Sequence, residues 1–245
     1  FHHDMHNEAF SYMWQTLGNP MPVSFPEPGA SLAGDIEIPA ATISLGAKPG
    51  SGFVFDNEKW AHQVRLPAFS IARSAVSNAD YRSFVDAGGY ARREFWSGAG
   101  WAMRERLALS HPRYWRRDAD GWAMRRFERW LPLAVDEPVR HVSCHEAEAF
   151  CVWAGRRLPS EAEWECAAAA GTQRLDSGRV WEWTSSRFGP YPGFVPDPYK
   201  EYSAPWFAEE HRVLRGGSFA TPPRLLRPTW RNFYKPLCQL YSRDI

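Results

Sequence analysis

Cysteine is scarce, and it is never spaced as redox or zinc motifs require. The four cysteines, Cys144, Cys151, Cys166 and Cys238, include no Cys-x-x-Cys pair. They are therefore expected as buried thiols of a reduced, cytosolic protein. On a helix, Cys144 and Cys151 stand two turns, about 10 Å, apart, too far for a disulfide. Net charge is almost lacking as well: 29 Lys and Arg stand against 28 Asp and Glu. That balance gives no electrostatic footprint for nucleic acid or an anionic membrane. No apolar run approaches the ~18 residues of a spanning helix, and there is no internal repeat, low-complexity tract or targeting pattern. The sequence opens on Phe1 and stops at Ile245, and both ends are expected to be limits of a longer chain. What the sequence has in excess is aromatic: 15% of the residues, 13 of them Trp. Rings at that density build rigid cores and line pockets for flat or cationic ligands.

Punctuation divides the 245 residues into three parts. Residues 1–18 are expected to be the end of a helix, stopped by Gly18-Asn19-Pro20. Residues 19–35, with four prolines and two glycines, form a linker. Residues 36–245 form the main domain. Its segment 36–75 alternates apolar and polar residues as short strands do. A short helix is expected over 78–87 and a second over 145–155, ended by Gly155. A third starts at Ser160, where Glu163 completes a capping box. Residues 90–135, rich in Trp and Arg, show little periodicity, and short strands and long loops follow from Val180.

The first helix carries His2 and His6 four residues apart, so both imidazoles project from one face. With that spacing a helix offers two nitrogens to one metal. Glu8 is placed to orient a ligand from behind. Two ligands do not complete a site, so at least one more is expected from upstream sequence. Imidazoles alone leave zinc, iron, copper and nickel open.

Several stretches, in order, carry a family resemblance: Phe55-Asp56-Asn57-Glu58, Val76-Ser77-Asn78, Arg157-Leu158-Pro159-Ser160-Glu161-Ala162-Glu163-Trp164-Glu165, Val180-Trp181-Glu182-Trp183-Thr184 and Val213-Leu214-Arg215-Gly216-Gly217-Ser218. From about residue 36 onward the chain resembles the formylglycine-generating-enzyme, or sulfatase-modifying-factor, superfamily. The resemblance implies an α+β fold, a C-type-lectin-like domain with little regular structure. Arg157, Glu163, Trp164 and Trp183 are expected as scaffold contacts. Formylglycine-generating enzymes hold copper with a cysteine pair shortly after Arg-Gly-Gly-Ser; here that stretch reads Phe219-Ala220-Thr221-Pro222-Pro223.

The histidine helix points to another branch. Residues 1–18 resemble the last helix of the DinB-like bundle that precedes this fold in ergothioneine sulfoxide synthases (EgtB-like) and selenoneine synthases (SenA-like). His2 through Phe10 with Gln15-Thr16-Leu17-Gly18 looks most like the selenoneine branch. The resemblance implies Fe(II) held by three histidines, two of them His2 and His6. It also implies O2 as co-substrate and a C–Se or C–S bond formed at imidazole C2 of hercynine, N-α-trimethylhistidine. The chalcogen donor is a selenosugar, slightly favoured, or a thiol such as cysteine or γ-glutamylcysteine. Tyr199 is the implied catalytic proton or hydrogen donor. Tyr202 and Phe233 would face the trimethylammonium, and Asn232 would orient the imidazole. Phe233-Tyr234 stands where mycobacterial-type synthases have Trp-Asp. Tyr234 thus enters the substrate site in place of an acid that helps read γ-glutamylcysteine. Met5 takes the place of a Gln that contacts the imidazole, and His3 that of a Glu. Two departures from the family are a shortened 167–180 stretch and an unusual 236–243 ending. The competing expectations are a non-catalytic lectin-like binding module and a copper oxidase of the formylglycine type. The second lacks its cysteines.

Overall fold

The computed structural model describes residues 1–21, 29–169 and 175–239. Helix α1 (His2–Leu17) comes first and ends as its sequence requires. Gly18 adopts φ 69°, a left-handed conformation open to glycine without steric cost. Its N–H donates to Gln15 O and that of Asn19 to Trp14 O, which closes the helix in a Schellman motif. Linker residues 22–28 lie outside the described residues, as do 170–174 of the shortened stretch and 240–243 of the unusual ending.

The main domain is α+β, built from small antiparallel sheets. Strand β1 (Asp35–Ile38) pairs with β4 (Phe69–Ala72), and β2 (Ala41–Leu45) with β3 (His62–Leu66). Helix α2 (Asn78–Asp86) is capped by Ser77, whose Oγ accepts from Asp80 N. Residues 90–135, where the sequence shows little periodicity, nevertheless form regular elements. That segment holds helix α3 (Gly98–Arg106) and a meander of β5 (Trp115–Asp118), β6 (Gly121–Arg126) and β7 (Arg129–Pro132). Helix α4 (Cys144–Trp153) follows, with Ser143 and Glu146 in a capping box. In α5 (Glu161–Ala169), Ser160 N donates to Glu163 Oε2 and Glu163 N to Ser160 Oγ, the reciprocal pair that the sequence predicts. The last sheet orders β10 (Asn232–Tyr234), β9 (Arg212–Gly216) and β8 (Trp181–Arg187).

Three apolar clusters hold these pieces. Ile36, Leu45, Leu66 and Ile71 pack on Trp164 of α5. Tyr81, Phe84, Trp115 and Phe150 join α2, α4 and the meander. Phe55, Trp181, Trp183, Leu214 and Trp230 form the third, and Met5, Tyr202 and Tyr234 pack against it. The candidate site therefore rests on this last cluster.

Buried charge fixes the loops above it. Arg215 and Arg231 are both fully buried and both bond Glu161 Oε2 at 2.9 Å. Burial alone would raise the Glu161 pKa, but the two guanidinium charges outweigh it and hold the carboxyl below its usual value. The Asp56-Asn57-Glu58 motif ties down both loops that face the cavity. Asp56 accepts from Ser203 Oγ, Asn57 O from Arg231 Nη1, and Glu58 Oε2 from Arg227 Nε and Thr229 Oγ1. Arg157 pairs with Glu163, Trp164 Nε1 donates to Glu182, and Trp183 Nε1 to Val142 O. All are contacts of the scaffold.

Candidate functional site

Helix α1 docks on the domain through a polar stripe. Asp4, Glu8, Ser11 and Gln15, spaced four, three and four, are its buried residues. Gln15 Nε2 donates to Arg125 O, and Arg125 Nη2 donates back to Gln15 O. Asp4 pairs with Arg224 through Nε at 2.7 Å. The role expected for Glu8, orienting a metal ligand, is corrected: its carboxylate points into the domain. Oε1 accepts from Trp181 Nε1 at 2.7 Å and Ser218 Oγ at 2.6 Å, and Oε2 accepts from Thr221 Oγ1 at 2.8 Å. Glu8 is thus a peg that fixes where the helix, and so its histidines, sit. Truncation to Ala strands three buried donors, each bonded to a charged acceptor. Glu8→Ala should cost about 3 kcal/mol, read as a lower chemical-denaturation midpoint. An unchanged midpoint would show that the peg carries no stability.

His2 and His6 meet on the exposed edge of α1, with their Nε2 atoms 2.9 Å apart. Two nitrogen lone pairs this close repel unless a proton or a cation lies between them. Ligand nitrogens held cis at bonds of about 2.1 Å are about 3 Å apart, so the pair fits one metal ion. Partial burial and the charges of His6 and His3 lower the His2 pKa, which favours the neutral, ligating imidazole. Among the described residues no group of three or more His, Cys, Asp or Glu converges as a metal site. The two histidines therefore form part of a ligand set.

A cavity of about 480 Å³ opens beside this pair. It brings together every site residue that the sequence singles out: His2, His6, Tyr199, Tyr202, Asn232, Phe233 and Tyr234. The Tyr199 ring stands edge-on to His2, centroids 5.4 Å apart. Tyr202 is stacked on Phe55 at 4.5 Å, and its hydroxyl reaches Met5 Sδ at 3.4 Å. Burial pushes the Tyr202 pKa above its ordinary value, so it stays a neutral phenol. Asn232 Oδ1 accepts from Phe233 N at 2.9 Å, so the amide is fixed and Nδ2 is the donor left for a ligand. The Tyr234 hydroxyl lies 3.4 Å from that of Tyr12, which ties β10 to α1. Trp206 and His211 also line the cavity. The sequence reading missed both, though the adjacent aromatic pair Trp206-Phe207 was a usable signal. A second cavity of about 550 Å³, walled by Phe53, Phe55, Asp56 and Pro198, meets the first at His2, Tyr199 and Tyr202.

The cysteines take no part. All four are free. Burial pushes the Cys151 and Cys238 thiols up to about 11, so neither is a thiolate at neutral pH. No helix among the described residues is long and apolar enough to cross a membrane.

The fold and this site define a class. The sulfatase-modifying factor enzyme 1-like domain matches residues 21–176 and 175–240, and the chain belongs to that family. Within it, the hercynine oxygenase of Mycobacterium tuberculosis is 40% identical over 234 residues, 78% of this chain and 53% of that protein. That of Mycolicibacterium smegmatis is 37% identical over 272 residues, 90% of this chain and 61% of that protein. The formylglycine-generating enzyme of Streptomyces coelicolor is 32% identical over 187 residues, 67% of this chain and 56% of that protein. The chain thus spans about half the length of the curated relatives it matches. Among solved structures, PvdO from Pseudomonas aeruginosa shares the fold with a TM-score of 0.50 at 15% identity, covering 86% of this chain and 94% of that one.

Proposed function

We propose that this chain belongs to an Fe(II)- and O2-dependent synthase that joins selenium or sulfur to C2 of the hercynine imidazole. The observation that carries the reading is the His2–His6 nitrogen pair, 2.9 Å apart, at the mouth of an aromatic cavity that also holds Tyr199. A lectin-like binding module has no use for such a pair. The cysteine pair of a copper oxidase is missing from Phe219–Pro223. Similarity to hercynine oxygenases supports the substrate. Two cavities that meet at one point suit a reaction with two organic substrates. Residues 1–18 are proposed as the last helix of a DinB-like bundle. On α1, the apolar residues Phe10, Met13, Trp14 and Leu17 lie exposed, opposite the docked polar stripe, as on a helix that packs against other helices.

In this reading His2 and His6 would hold the iron, which supplies the one-electron chemistry that activates O2. Tyr202 and Phe233 bind the quaternary ammonium through their faces, which need no hydrogen bond from it. Asn232 donates from Nδ2 to the imidazole and sets its rotation. The aromatic walls exclude water from the reacting carbon. Tyr199 holds a proton at Oη on the rim shared by the two cavities. A selenosugar is the favoured donor, because Tyr234 removes the acid associated with γ-glutamylcysteine.

Iron-loaded protein supplied with hercynine and O2 should form coupled product from at least one of selenosugar, cysteine and γ-glutamylcysteine, the selenosugar fastest. No coupled product from any donor would overturn the reading. Cation–π contacts in a desolvated site are worth ~2 kcal/mol. Tyr202→Leu should therefore weaken hercynine about 30-fold by calorimetry and bring it close to plain histidine. Equal affinity of the unaltered protein for histidine and hercynine would remove the aromatic cage.

A further inference from the structure

The rings at the β10 end of the cavity extend beyond Tyr202 and Phe233. Phe233 is covered on one face by Phe188, stacked at 4.0 Å and 11°. Trp206 stands beside it at 6.4 Å, inclined by 37°, and His211 meets it edge-on at 5.7 Å. Tyr202 gives one face to Phe55 and approaches Phe233 at 6.3 Å and 73°. Tyr202 and Phe233 thus each commit one face to a stack while lining the cavity. The Trp206 N–H is donated to Glu201 O at 3.1 Å. That bond fixes the indole and leaves it no donor for a ligand, only its π surface. Among the described residues no Lys or Arg lines this cavity, whereas Glu201 does. Lys235, next to Tyr234 in sequence, is paired with Glu209 at 3.0 Å.

We infer that Trp206 is the third wall of a cation cage, with Tyr202 and Phe233, and that it selects a quaternary ammonium over a primary amine. The inference rests on the hercynine reading and adds to it a residue that sets the choice between quaternary and primary ammonium. A trimethylammonium has a diffuse charge and no N–H. Three ring faces within about 6 Å replace its hydration without leaving a donor unpaired. A primary ammonium loses strongly held water in the same place and has three donors to satisfy. The absence of a lining Lys or Arg among the described residues leaves a bound positive charge unopposed.

The test uses calorimetry on the iron-loaded protein with three probes: hercynine, histidine, and a neutral isostere in which tert-butyl replaces trimethylammonium. Trp206→Leu should weaken hercynine about 5- to 10-fold and leave the isostere within about 2-fold. Trp206→Phe, which keeps a ring, should lose less than about 3-fold. Retained isostere binding shows that the cavity is intact in each variant. Equal weakening of hercynine and isostere in Trp206→Leu would make the indole a packing residue and overturn the proposal, as would no weakening of either. Absence of hercynine binding to the unaltered protein would overturn the underlying reading as well, before any variant is compared.

Discussion

Replacing His2 or His6 by Ala should empty the protein of iron. The Nε2 atoms of the two side chains are 2.9 Å apart, so neither can be lost without leaving the other as a lone exposed imidazole on α1. Altering a residue that merely supports a metal ligand costs 10- to 100-fold in affinity. Removing a ligand outright should cost at least about 100-fold, and metal analysis of the purified variants should find less than a tenth of the iron of the unaltered protein. Product formation should fall in parallel. His3→Ala is the control: its ring lies 6.4 Å from that of His2, on the neighbouring position of the helix, and it stands outside the cavity lining. That variant should keep its iron. Full iron occupancy in the His2→Ala, His6→Ala double variant would show that the pair holds no metal.

How much of this was legible in the sequence depended on how local the signal was. The end of α1 at Gly18, the capping box at Ser160 and the strand alternation over 36–75 are encoded within a few residues, and the structure matches them. The 90–135 segment was not legible because its elements expose most of their length. Helix α3 buries only Gly100 and Met103, and β5 buries only Trp115 while Arg116, Arg117 and Asp118 face water. With so few buried positions there is no period to find. Glu8 failed for a different reason. Its place on the histidine helix suggested a metal-supporting role, but its partners Trp181, Ser218 and Thr221 lie 173, 210 and 213 residues away. No local spacing announces such a contact. The residues at 199–202 and 232–234 were found through resemblance alone. The structure adds a physical reason for their convergence: the Asp56-Asn57-Glu58 turn holds the loop after Tyr202 and the segment before Asn232.

Tyr199→Phe should lower kcat by roughly 10²- to 10⁴-fold, the range for loss of a positioned proton donor, while iron content and hercynine affinity stay within about 2-fold. The reasoning starts from placement. Tyr199 is 55% exposed on the rim where the two cavities meet, with its ring edge-on to His2 at 5.4 Å. Phe keeps that ring and its contact with His2, so ground-state binding has no cause to change. What is removed is one hydroxyl, and with it the proton Tyr199 holds beside His2. An interaction that matters only once O2 has reacted lowers kcat and kcat/KM together and leaves binding alone. Without that proton, oxidising equivalents should pass to the chalcogen donor, so oxidised donor accumulates while coupled product does not. If the tyrosine instead only packs the turn between Pro198 and Ser203, Phe will serve as well, and the product rate will not move. A single-turnover experiment that counts coupled product and oxidised donor separately distinguishes the two: a shifted ratio with intact hercynine binding assigns the proton to Tyr199, and an unchanged product rate makes it a packing residue.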